Sequence, residues 1–152
     1  MSFWLLKSEP GSYSIGDLRK DKTTFWNGVR NFQARNFLRD SIKAGDGVLF
    51  YHSNADPSGV AGLAKVVKSG YPDPTALDPK SKYFDPRASR ENPVWFMVDI
   101  VFVKKFKTLI DLDLLRHTPG LEKMMVLKRG SRLSVQPVLP KEFDIVKKLG
   151  EV

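Results

Sequence analysis

The chain has 152 residues, 41% of them hydrophobic and 28% charged, with 25 Lys and Arg against 17 Asp and Glu for a formal net charge of +8. That is the make-up of an ordinary globular protein long enough to bury a core, most economically as one domain over residues 1–152. The absence of cysteine excludes disulfides, thiolate metal sites and cysteine nucleophiles. The cationic surplus favours a polyanionic partner, nucleic acid ahead of a membrane surface.

Phe3 to Leu6 reads as a short buried strand. The apolar run before Lys7 is too short for a signal peptide, and no later segment approaches a membrane span, so an intracellular protein is expected, cytoplasmic or, in a eukaryote, nuclear. Ser14-Ile-Gly-Asp17 looks like a helix start, a capping box with Asp in place of Glu. From Asn31 to Ile42, Phe32, Ala34, Phe37, Leu38 and Ile42 fit one face of an amphipathic helix whose other face carries Arg35, Arg39 and Lys43. Ala44-Gly-Asp-Gly47 ends it.

Val48 to Tyr51 is expected as a buried strand, Asn54 to Gly59 as a turn, and Val60 to Val67 as the partner strand, with Gly62 allowing a close approach. Tyr71 to Pro93 holds five prolines and reads as a long, partly ordered loop, with Tyr71, Tyr83 and Phe84 packing against something. Val94 to Phe106 is the strongest strand signal. Short helices are expected over Leu109–Arg116 and Leu121–Lys128, a strand over Arg132–Val135, and a last helix from Pro140 with Phe143, Val146 and Leu149 on one face and Gly150 as its stop. Strands scattered among short helices indicate an α+β domain with a mixed, barrel-like sheet.

The segment Phe25 to Arg39 carries the most chemistry. Asn27, Asn31, Gln33 and Asn36 each supply a donor and an acceptor, and Arg30, Arg35 and Arg39 supply forked cationic donors, all close to Trp26. Such groups beside an aromatic face suit a flat heterocycle, stacked on the ring and read along its edges. Arg35, Arg39 and Lys43 lie on one helix face and are expected to meet phosphates. A purely structural reading, with Trp26 in the core and the amides capping turns, weighs evenly for any one residue but poorly for the ensemble.

Catalytic signals are weak. His52 and His117 are the two histidines, and no His, Asp or Glu spacing suggests a metal site or a cofactor. Tyr51, His52 and Ser53 are neighbours on a strand, so their side chains alternate between faces. Lys7 and Glu9 at a strand end, with His52, are the suspects if the protein is a hydrolase acting on nucleotides or RNA. A small-molecule or protein-interaction module is the other alternative to a non-enzymatic nucleic-acid binder. The oligomeric state stays open.

Six segments in order, Trp4-Leu-Leu-Lys-Ser-Glu-Pro10, Trp26-Asn-Gly-Val-Arg-Asn-Phe-Gln-Ala-Arg-Asn36, Phe50-Tyr-His-Ser-Asn54, Tyr83-Phe-Asp-Pro86, Pro93-Val-Trp95 and Arg132-Leu-Ser-Val-Gln-Pro137, together resemble the EVE domain family over about Phe3 to Leu149. The resemblance implies a PUA-like fold, a mixed β pseudo-barrel with flanking short helices, structurally similar to YTH domains. It also implies a reader of a flipped or unpaired, modified base in DNA or RNA. Carried over by residue, Trp26 stacks on the base. Ser8 and Glu9 face the pocket from the first strand end, and Asn27, Val29, Arg30 and Asn31 form its rim. His52, Ser53 and Asn54 lie on the same side, and Arg132 and Ser134 close the cavity. Trp95 reads as core, and the second aromatic wall of a complete cage has no assigned residue.

Overall fold

The structure, a computed structural model, describes residues 1–151. Strand β1 (Phe3–Ser8) sends Trp4 and Leu6 to one face of the sheet and Leu5 to the other, and β3 (Gly47–His52) splits Val48 and Phe50 from Leu49 and Tyr51 in the same way. This period-two alternation makes two cores from one sheet. The first joins Trp4, Leu6, Phe50, Trp26 and Ile100 to the chain around Ala34 and Leu38. The second joins Leu5, Leu49 and Leu63 to Leu115 and Val146.

Between these strands lie α1 (Ile15–Asp21), β2 (Thr23–Phe25) and α2 (Phe32–Asn36), and after them β4 (Gly59–Pro72), β5 (Phe96–Asp111), α3 (Leu112–Arg116), β6 (Val135–Val138) and α4 (Pro140–Leu149). The six strands form one mixed sheet in the order β2-β5-β4-β3-β1-β6. β1 and β3 run parallel, with Ser8 level with His52, and the remaining pairs are antiparallel. β2 and β6 are edges, so the α+β class and mixed sheet are as expected but the ladder does not close into a barrel. No helix among the described residues is long and apolar enough to cross a membrane.

Local signals hold where they are self-contained. Ser14 caps α1, its hydroxyl accepting from Asp17 N–H at 3.1 Å while the Asp17 carboxylate accepts from Ser14 N–H at 2.9 Å. Pro140 opens α4, and at Gly150 a side chain would strike the Phe106 ring. Gly62 admits the Lys104 carbonyl and Ile15, where a Cβ would collide with both. Buried Asp46 accepts from Ser2 N–H, Lys43 N–H and the Trp4 indole at 2.9–3.0 Å, tying the end of the basic segment to β1.

Long-range pairing moves several boundaries. β5 runs on to Asp111 because Ile110 and Asp111 pair with Val60 and Gly59, so the helix expected from Leu109 starts at Leu112, capped by Asp111. The helix expected from Asn31 is α-helical only to Asn36 and then widens into one π turn, Phe37–Ser41, closed by Ile42 N–H on the Phe37 carbonyl. Leu121–Lys128 holds a single 3₁₀ turn, Met125–Leu127, and the strand expected at Arg132 begins at Val135.

Candidate functional site

Parallel pairing brings the carboxyl ends of β1 and β3 together, and beside the end of β1 opens a cavity of about 610 Å³. Its walls come from the end of β1 and the turn after it (Lys7, Ser8, Glu9, Ser12, Tyr13), the segment Thr24 to Arg30, Lys82 and Tyr83 of the proline-rich loop, and Ser134, whose carbonyl accepts the Lys7 N–H at 2.9 Å.

Trp26 serves both the core and the cavity. It is 8% exposed and meets Phe50 edge-on, ring centres 5.5 Å apart. Yet its indole N–H has no hydrogen-bond partner among the described residues and is not sealed from solvent, unlike the indoles of Trp4 and Trp95, which donate to Asp46 and Asp85. A buried ring with an unsatisfied donor at a cavity wall is poised to meet a ligand acceptor. Val29, itself buried, adds an apolar surface, and the half-buried Asn27 amide is likewise without a partner among the described residues.

The second aromatic wall, unassigned from sequence, is Tyr83. Gly28 makes it possible: at φ +78, a Cβ there would sit 2.5 Å from the Tyr83 ring. The Gly28 N–H donates to Asp73 at 2.8 Å. Gly28→Ala therefore combines a left-handed backbone, costing an L-residue about 1–2 kcal/mol, with displacement of the Tyr83 ring. Thermal unfolding should show that modest loss, while ligand affinity falls at least about tenfold, beyond what the stability change accounts for; equal affinity would remove Tyr83 from the site.

Arg30 holds this arrangement rigid. Its guanidinium donates to the Tyr83 carbonyl from Nε and Nη2 (3.1 and 2.8 Å), to the Val29 carbonyl and Asp73 from Nη1 (3.0 and 3.2 Å), and to Thr75 Oγ1 from Nη2 (3.2 Å). Four acceptors within the protein thus take the donors that a base edge would need. Burial alone would raise the Asp73 carboxyl, but hydrogen bonds from Thr75, Gly28 and Arg30 outweigh it and hold its pKa below the usual carboxylate value.

The other residues named from sequence fall into two groups. Ser8, Glu9, Asn27, Val29 and Ser134 line the cavity with Trp26 and Arg30, whereas Asn31, His52, Ser53, Asn54 and Arg132 are absent from its walls. Asn31 caps α2 through Ala34 N–H at 3.0 Å. His52 Nε2 accepts the Ile15 N–H at 3.1 Å, docking α1 on the sheet, and burial, then Lys105, lowers its pKa. Ser53 N–H donates to the Ser8 carbonyl, and Asn54 Nδ2 donates to Glu9 Oε1 at 2.7 Å, so both support the β1 end from behind. Arg132 precedes β6 and is exposed. Lys7, Tyr13, Phe25 and Lys82 join the lining.

The basic face is uneven. Arg35 donates to the Val94 carbonyl at 2.6 Å, and Arg39 forms a two-point pair with exposed Asp40 at 2.7 and 2.8 Å. Lys43 is exposed and makes no ion pair among the described residues.

Of the three groups best suited to acid–base work, Lys7 and Glu9 line the cavity and His52 does not. Lys7 Nζ donates to the Ser131 carbonyl and its pKa is lowered by burial, Glu9 is engaged by Asn54, and His52 faces α1. Among the described residues no cluster of three His, Asp or Glu side chains could hold a metal ion.

Four likenesses bear on this geometry. The family described as EVE domain matches residues 2–149. Human thymocyte nuclear protein 1 is 45% identical, the alignment covering 99% of this chain and 74% of that protein. Among solved structures, a hypothetical protein from Leishmania major superposes with a TM-score of 0.93 at 49% identity, covering 99% of this chain and 95% of that one. The human THYN1 protein in complex with 5-methylcytosine containing DNA superposes with a TM-score of 0.89 at 42% identity, covering 100% and 99%.

Proposed function

The chain belongs to the EVE domain family, and from that footing we propose that it binds nucleic acid without catalysing a reaction, holding one flipped or unpaired, modified base in the cavity between Trp26 and Tyr83. The observation that carries this reading is the cavity itself: the rings of Trp26 and Tyr83, with Tyr13 and Phe25 also in the lining, an apolar patch at Val29, and donors at Trp26 and Asn27 that have no partner among the described residues. Stacking returns about 1–3 kcal/mol per base, comparable to the few kcal/mol that extrusion from a duplex costs. Edge hydrogen bonds and phosphate contacts supply the margin.

A relative solved with 5-methylcytosine containing DNA supports a methylated cytosine as the modification and DNA as the strand. The Val29 surface beside Trp26 suits a methyl group, which gains from leaving water. The name of the human relative supports the nuclear half of the expected localisation, for a eukaryotic source, and not the cytoplasmic half. Against a hydrolase stands the position of His52 outside the walls that Lys7 and Glu9 line, with Lys7 bonded to the Ser131 carbonyl and Glu9 to Asn54.

The test is affinity for matched oligonucleotides carrying cytosine or 5-methylcytosine, across a salt series. The methylated strand should bind more tightly, and log affinity should fall linearly with log salt. Lys43→Gln should flatten that slope by about 0.7–0.9 for both strands, as expected for one lost phosphate contact. Arg39→Gln should do less, because Asp40 already occupies the Arg39 guanidinium. Equal affinity for the two strands, or binding indifferent to salt, contradicts the proposal.

A further inference from the structure

A second concavity, of about 300 Å³, lies beside the first and shares Arg30, Lys82 and Tyr83 with it. Its floor is Trp95, buried at 3% exposure, with Phe32 stacked on it at 4.8 Å between ring centres and 19° between planes. Phe32 remains 48% exposed and Phe84 40%. Two large aromatic side chains left open to water around one hollow are not a product of core packing.

The charge around this hollow is arranged as well. Asp85 is the one acid in its lining, and it is satisfied: it accepts from the Trp95 indole at 2.7 Å and from the Arg87 guanidinium at 2.8 Å. Arg87 lies 5.7 Å from the Phe32 ring centre and Arg35 5.0 Å. Lys82 forms no ion pair among the described residues. Arg30 is neutralised by Asp73 and Arg87 by Asp85, which leaves Lys82 as the uncompensated charge on the ridge between the two hollows.

We infer that this second hollow receives the nucleotide adjacent to the one in the Trp26 cavity, its base packing against Phe32 and Phe84 and the linking phosphate lying against Lys82. The inference rests on the first cavity holding a base. Stacking on aromatic side chains tolerates any base, so the subsite adds affinity with little sequence preference.

The experiment uses trinucleotides centred on cytosine or 5-methylcytosine, in which the base on one side, then the other, is replaced by an abasic sugar. Affinities are measured for the wild type, Phe84→Ala and Phe32→Ala, with thermal unfolding as the fold control. On one side of the central base, restoring the neighbouring base should raise wild-type affinity by about tenfold, with either central base. Phe84→Ala, at a side chain with little packing to lose, should abolish that gain while leaving affinity for the abasic trinucleotide unchanged. No gain on either side in the wild type, or a gain that survives both substitutions, overturns the subsite and points to a protein segment as the occupant of the hollow. Loss of the preference for 5-methylcytosine with the neighbour gain intact overturns the first cavity's reading alone.

Discussion

Trp26→Phe should fold cooperatively and bind at least about tenfold more weakly than the wild type, whereas Trp26→Ala should lose both binding and much of its stability. The indole is 8% exposed and packed edge-on against Phe50, so truncation to Ala costs about 3–5 kcal/mol, on the pattern of large core aromatics. For a domain of this size that lowers the melting temperature by about 10 °C or more. Polar neighbours in sequence hide an apolar neighbourhood in space around this ring. Phe keeps an aromatic ring in the core but removes the indole N–H that, unlike those of Trp4 and Trp95, has no partner among the described residues. Urea unfolding and oligonucleotide affinity, measured on both variants, separate the two roles. A Phe variant that binds like the wild type would show that the indole N–H makes no contact with the base.

Arg30→Gln should destabilise the protein by about 3–5 kcal/mol, the usual consequence of removing one partner from a buried ion pair. Its partner Asp73 has no exposed side-chain surface and would keep its charge without the guanidinium. The Tyr83 carbonyl would lose both its donors and Thr75 one, so the proline-rich loop should loosen before the sheet does. This differs from a base-reading arginine, whose loss erodes discrimination and leaves stability intact. Hydrogen exchange of residues 73–95 in the variant is the discriminating measurement. The same network has a pH signature. Because the Asp73 pKa is held below its unfolded value, its contribution is present above that unfolded value and is lost as pH falls through the folded one. Loosening of this loop should therefore appear in acid, below about pH 4, and not on the alkaline side.

How much of this was legible in the chain depended on how local each cause is. The Ser14–Asp17 cap, the Pro140 helix start and the buried strands around Leu5 and Leu49 involve neighbours in sequence, and they were readable. β2 is three residues long and exists because β5 offers Asp99 to Val101 as partners, a fact no window of sequence contains. The cluster around Trp26 falls on the cavity only in part, at Trp26, Asn27, Val29 and Arg30, and composition could not divide residues that line it from residues that support it. His52 and Asn54 carry side chains as suitable as that of Asn27, yet they hold α1 and Glu9 in place. Tyr83 was visible as an aromatic in a proline-rich loop. Its role depends on Gly28, whose missing side chain makes room for the ring, and that pairing exists only in three dimensions.

The most direct test follows the three indole N–H signals of the ¹⁵N-labelled protein during titration with a 5-methylcytosine oligonucleotide. Trp4 is locked to Asp46 inside the core and should stay put, whereas the Trp26 signal should shift strongly, as its unpaired donor acquires a partner and its ring a stacked base. A titration in which the oligonucleotide binds while the Trp26 signal does not move would contradict a base in the Trp26–Tyr83 cavity.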